Sequence, residues 1–132
     1  MCLLVKSELK PSVSQAQTNF KEAIFVDCKI EGGKQLTVGL IYRSPNSALE
    51  NNNLNELIQA IPKMAQNLLL LGNFNFTQID WNSESTNTGE NHPAALFLHA
   101  VKEAFLIQHQ KDPTRIREGQ RPTLDDLVLT NT

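Results

Sequence analysis

Most residue types that would announce a function are scarce here. The chain has two cysteines, Cys2 and Cys28. Two are too few for a disulfide framework, and their spacing fits no zinc motif. Both stand in apolar, strand-like runs, so the reading is two buried free thiols in a reducing compartment. Excess positive charge is also missing. Twelve Lys and Arg against fourteen Asp and Glu leave a net charge of -2, which argues against a free-standing, tight DNA binder. No apolar run approaches a membrane span, and the apolar start at residues 1–5 stops at Lys6, too short for a signal peptide. A nuclear or cytoplasmic protein is the expectation. There is no internal repeat, low-complexity tract or linker. Aromatics make up 6%, with Trp81 the single tryptophan. Trp81 reads as a packing anchor rather than a base-stacking residue.

What is present suits one globular domain. The chain has 132 residues, of which 40% are hydrophobic and 20% charged, enough for one core. Its centre is Leu68-Leu69-Leu70-Leu71-Gly72-Asn73-Phe74-Asn75-Phe76. Four leucines closed by glycine read as a strand buried on both faces. Asn73 and Asn75 follow just past its end. In an extended segment that spacing puts both amides on one side, and polar groups at the end of a rigid strand are a common way to build a site. A plain turn would use Gly and Asn as well, since both tolerate positive φ.

The other elements fall around this strand. Residues 2–5 read as a strand and residues 6–20 as a loop. Residues 23–30 and 35–42 form a hairpin across Gly32-Gly33. Residues 51–61 read as a helix, with Leu54, Leu57, Ile58 and Ile61 in one stripe, N-caps offered by Asn51 to Asn53, and Pro62 ending or kinking it. Residues 77–91 form a long surface loop. A second helix starts at Pro93 and buries Phe97, Leu98, Val101 and Phe105. Residues 106–108 form a short strand, residues 111–122 a basic loop, and residues 127–129 a final strand. Strands and helices alternate, but the leading hairpin makes the sheet mixed. The expectation is α/β layers with much antiparallel pairing.

Several of these stretches, in this order, resemble the endonuclease/exonuclease/phosphatase (DNase I-like) family. They are Gly39-Leu40-Ile41-Tyr42-Arg43-Ser44-Pro45-Asn46-Ser47, the central strand through Asn75, Ile79-Asp80-Trp81, Pro113-Thr114-Arg115, and Leu124-Asp125-Asp126-Leu127-Val128-Leu129-Thr130-Asn131. The match is closest to the endonuclease domains of non-LTR retrotransposons, and it covers nearly the whole chain as one partial domain, 1–132. The resemblance implies a four-layer α/β sandwich, here partial, with mixed, largely antiparallel sheets and flanking helices. It also implies a Mg²⁺-dependent phosphodiester hydrolase acting on DNA. In the family motif Gly-Asp-Phe-Asn, Asn73 takes the place of the acid that acts on the attacking water. Asn75 matches the Asn that orients that water and the phosphate. Tyr42 matches a phosphate-contacting Tyr, and Asn46 lies near a backbone-contacting position. Asp126 matches the Asp that supports the catalytic His, with Asp125 one residue away as the alternative. Arg115 belongs to a Thr-Arg pair near the substrate.

The departures from the pattern carry their own expectations. An amide at position 73 neither accepts a proton from water nor brings charge to a metal. The family's metal-binding Glu and its terminal Ser-Asp-His have no counterpart here, and His92, His99 and His109 read as surface residues. Asp126 could equally cap a turn, and the rest of the basic loop reads as a solvated face. Three functions follow for comparison: an impaired fragment of an endonuclease domain, an active phosphodiesterase within a longer chain or using a substitute acid such as Asp80, and a non-catalytic binding module. A sandwich short of strands should also expose sheet edges and apolar faces, and so self-associate.

Overall fold

A computed structural model describes residues 2–14, 18–45 and 48–132. Along these residues run β1 (Ser12–Val13), β2 (Ala23–Lys29), β3 (Gln35–Tyr42), α1 (Asn51–Met64), β4 (Leu68–Asn73), β5 (Ile79–Asp80), β6 (Ser85–Thr86), α2 (Pro93–Glu103), β7 (Ile107–Gln108) and β8 (Asp126–Thr130). Six strands form one sheet in the order β1-β2-β3-β4-β8-β7, and β5 and β6 form a small separate ribbon. Only β3 and β4 pair in parallel, because α1 carries the chain back between them; the other neighbours are antiparallel. The expected mixed α/β, largely antiparallel architecture is therefore present, as one main sheet and one layer of helices.

Strand register sorts the side chains onto two faces. Phe25, Gly39, Leu70 and Leu129 lie in one row across β2, β3, β4 and β8. With Ile41, Leu68 and Leu127 they join Leu54, Leu57, Ile58 and Ile61 of α1 and Phe97, Leu98 and Val101 of α2 in a single core. The opposite face carries Ile24, Val26, Val38, Leu40, Leu69, Leu71 and Val128, all only half-buried. The central strand is thus fully buried on the helix side alone. On the other side its leucines lack a covering layer among the described residues.

Several local expectations are corrected. Residues 2–5 form no strand, and Cys2 is exposed whereas Cys28 is buried. A short run without ladder partners cannot hold a strand. The loop before Phe20 contributes the edge strand β1, and residues 77–91 contain the β5–β6 ribbon. Helix α1 runs through Pro62 to Met64. So near the C-terminus, the missing Pro N–H removes one hydrogen bond without ending the helix. Its N-cap is Glu50, with no side-chain capping bond; Asn51 turns its oxygen to Arg43 instead. Phe105 lies past the end of α2 at φ 56 and is 85% exposed. The chain has already left the helical period there. His92 has a definite job: its Nδ1 accepts from Ala94 N at 3.1 Å, capping α2 ahead of Pro93.

One packing feature positions everything that follows. Phe74 and Phe76 are both buried against Phe97 of α2: Phe76 stacks on its ring with centroids 4.5 Å apart, and Phe74 meets it tilted at 5.3 Å. Trp81 meets the same ring edge-on at 6.5 Å. The chain leaving β4 is therefore anchored on both sides of Asn75.

Candidate active site

Tyr42, Asn73 and Asp126 are direct register partners on β3, β4 and β8. Their side chains share the face opposite the helices, at the end of the sheet where β3 and β4 finish and β8 begins. The backbone ladder continues one residue further on each side. Arg43 N donates to Asn73 O and Phe74 N to Asp125 O, each at 2.8 Å. These bonds fix the row rigidly. Thr114 Oγ1 accepts from the N–H groups of Asp125 and Asp126 at 3.2 and 3.0 Å, pinning the start of β8.

Asn75 reaches the same place by a different route. The segment is not extended there: Asn75 has φ 54 in the left-handed region, which asparagine tolerates better than most residues. With Phe74 and Phe76 held in the core, the amide of Asn75 turns out of it. Its Nδ2 donates to Arg43 O at 2.6 Å. Arg115 enters from the basic loop, which an antiparallel bridge between Arg115 and Thr123 folds back on itself. Arg115 Nη1 stands 3.5 Å from Asp125 Oδ2.

A cleft of about 320 Å³ is lined by Tyr42, Asn73, Asn75, Arg115, Asp125 and Asp126. Five of the six residues singled out in the sequence thus meet in one cleft; the sixth, Asn46, lies outside the described residues. A neighbouring cleft of about 570 Å³ extends the row to Glu22, next to Tyr42 at the end of β2. Sequence reading passed over Glu22, because it precedes the first recognisable motif. Asp125 is the one-residue alternative to Asp126 in the sequence. It is the buried acid of the pair, 1% exposed, whereas Asp126 is exposed.

Arg43 was missed altogether, although a charge directly after an apolar strand was a usable signal. It is 7% exposed. Its Nε donates to Asn51 Oδ1 at 2.9 Å, and its Nη1 donates to Phe74 O and Asn75 O at 3.1 and 3.3 Å. The guanidinium lies 3.8 Å over the ring of Phe76. Burial pushes its pKa below the ordinary arginine value.

The cleft is rich in hydrogen-bonding groups and poor in metal ligands. Asn73 Oδ1 and Asp125 Oδ1 are buried without partners. Two free carboxylates, Glu22 and Asp126, stand at opposite ends of a four-strand row, about 14 Å apart at the backbone. Mg²⁺ demands oxygens at about 2.1 Å in a tight octahedron, so these two cannot share one ion. Among the described residues no three His, Cys, Asp or Glu side chains cluster as a metal site. The described residues do not compose a Mg²⁺ site.

A family model described as endonuclease-reverse transcriptase matches residues 36–132. The chain belongs to the endonuclease-reverse transcriptase family. The matched residues of this endonuclease-reverse transcriptase chain include all five described cleft residues predicted from sequence. Its structure is similar to the endonuclease domain of TRAS1, a telomere-specific non-LTR retrotransposon, with a TM-score of 0.58 and 16% identity over 82% of this chain and 49% of that one. At that identity the likeness is one of fold. The human nocturnin catalytic domain aligns with a TM-score of 0.46 and 18% identity, over 83% of this chain and 40% of that one. The chain therefore spans about half the length of the TRAS1 domain. No curated protein matches its sequence. Among the described residues, no helix is long and apolar enough to cross a membrane.

Proposed function

We propose that the chain is part of a DNA endonuclease domain of the non-LTR retrotransposon type, and that its cleft grips a DNA phosphate while cutting it poorly or not at all. The observation that carries this is the register row Tyr42–Asn73–Asp126, joined in one cleft by Asn75 and Arg115. Tyr42 is 42% exposed, so its hydroxyl is free to donate to a phosphate oxygen. Arg115 stands beside it, its charge shared with Asp125 at 3.5 Å. Asn75 is held outward and keeps its amide oxygen for a water or a sugar.

What the cleft lacks is an acid at position 73. The amide of Asn73 cannot take a proton from water near neutral pH. In its family the reaction is expected to use Mg²⁺, but the donor set here does not fit that ion, so no step of hydrolysis is assigned to it. Binding without efficient cleavage is the reading that this arrangement favours over an active phosphodiesterase.

The test is to incubate the purified chain with supercoiled plasmid and Mg²⁺, and to measure both retention and nicking. Weak, salt-sensitive retention without nicking above background is the expected result. Metal-dependent nicking that disappears in Asn75→Ala would overturn the impaired reading.

A further inference from the structure

The chain has four arginines, Arg43, Arg115, Arg117 and Arg121, and all four come together. Arg43 and Arg115 line a cavity of about 510 Å³, with Asn51, Gln78 and His92 also on its wall. Arg115, Arg117 and Arg121 line an adjoining cavity of about 230 Å³. The two share Thr77 and Arg115. Neither has an Asp or Glu among its lining residues, although acidic residues outnumber basic ones in the chain as a whole.

Among the described residues, one of the four charges has a carboxylate partner. Among the described residues, the ion pairs are His99 with Glu103 and Arg115 with Asp125. Arg43 rests on two carbonyls, an amide and an aromatic ring, with no carboxylate within ion-pair distance. Counting Asp125 against Arg115, three arginine charges around the pair of cavities have no carboxylate partner, the buried Arg43 and the exposed Arg117 and Arg121. The first cavity also touches Asn51 at the start of α1 and Pro93 at the start of α2, and helix N-termini add positive potential. A buried, uncompensated guanidinium is costly unless an anion completes it. Arginine also forks onto phosphate oxygens in a way lysine does not.

We propose that these adjoining cavities form a phosphate-binding track, which shares Asn75 and Arg115 with the Tyr42–Asn73–Asp126 cleft and leads away from it, and that it takes phosphate groups of a nucleic-acid strand running past the cleft. The identity of the strand rests on the function proposed above; the affinity for phosphate does not. Sequence alone suggested a solvated basic loop, because Asp112 and Glu118 interrupt it. Neither of those residues lines the two cavities.

The test uses two ligands and fold-safe variants. Gln78 is exposed on the first cavity, and Arg117 and Arg121 are exposed on the second. Inorganic phosphate, added at constant ionic strength, should raise the melting temperature by about 4 °C at saturation. The rise should vanish in Gln78→Glu and persist in Gln66→Glu, the same change at an exposed residue just before β4. A labelled single-stranded 12-mer should bind with a salt slope that falls by about 1 to 2 in the Arg117→Ala/Arg121→Ala double variant, and affinity should drop about tenfold. If phosphate stabilises the wild type and not Gln78→Glu while the 12-mer fails to bind, the track stands as a phosphate site and the DNA reading above falls. If Tyr42→Phe abolishes the phosphate effect and Gln78→Glu keeps it, the anion sits on the row and the track is overturned. No phosphate effect together with an unchanged salt slope in the double variant overturns it as well.

Discussion

Arg43 and Asn75 hold each other in both directions. The Asn75 amide donates to the Arg43 carbonyl at 2.6 Å, and the Arg43 guanidinium donates back to the Asn75 carbonyl at 3.3 Å. The left-handed turn at Asn75 is thus held by the residue that follows Tyr42. Replacing Arg43 by Met should leave the Phe74 and Asn75 carbonyls short of a donor and cost about 2–4 kcal/mol. Urea denaturation gives the figure directly. A loss below about 0.5 kcal/mol, within the range of ordinary surface changes, would mean that the turn holds itself.

The end of the sheet has no room for an extra carbon at Gly72. A Cβ there would sit on the Ile41 carbonyl oxygen, part of the backbone of the neighbouring strand, whereas at Gly39 it would meet the side chains of Leu70 and Phe25 at 2.6 Å. Side chains can give way; a ladder carbonyl cannot. Gly72→Ala should therefore destabilise by more than about 3 kcal/mol, and Gly39→Ala by about 1–3 kcal/mol. Thermal melts that rank the two variants the other way would show that the β3–β4 spacing is wrongly described.

Asn73 faces Asp126 across the strand pair. An acid at position 73 would set two carboxylates directly opposite each other, a destabilising pair worth about 0.2–1 kcal/mol. Repulsion raises the folded-state pKa of the new carboxyl above its unfolded value. Its charged form is then disfavoured in the fold, so the penalty is felt near neutral pH and is relieved on acidification. Asn73→Asp should melt below the parent at pH 7 and close the gap by pH 4. In a longer protein carrying the remaining acidic groups, the same change should raise nicking. A variant that matches the parent in both respects would separate Asn73 from the chemistry.

The uncovered face of the sheet sets the solution behaviour. Seven half-buried aliphatic residues lie on it, with Val38 near its middle. The edges are less of a liability, because β1 and β7 close them with two-residue strands. Association should therefore run through the face, and Val38→Lys should reduce it. Sedimentation over a hundredfold concentration range is the measurement. A parent that stays monomeric throughout would contradict it.

Much of this was readable from the chain, for identifiable reasons. The stripe of α1 and the β3 strand obey the periods that sequence reading relies on, and Gly32-Gly33 supplies the positive φ its turn needs. The cleft was readable because its residues sit at strand ends marked by Tyr42, the Gly72-Asn73 break and the Asp125-Asp126 pair. What stayed hidden depends on long-range contact. Arg43 becomes a buried cation only because Phe76 and the Asn75 carbonyl close over it. The four arginines converge only because the basic loop folds back through Arg115 and Thr123. Phe105 shows the reverse error, since an apolar residue one step past a helix end need not face the core.

The most direct test of the cleft itself is to follow the side-chain amide signals of Asn73 and Asn75 by NMR as a short DNA duplex is added at low salt. Both should shift together with the ring protons of Tyr42, and the shifts should collapse as salt is raised. Shifts confined to the half-buried sheet face, with the amides of 73 and 75 unmoved, would show that this end of the sheet is not where nucleic acid is held.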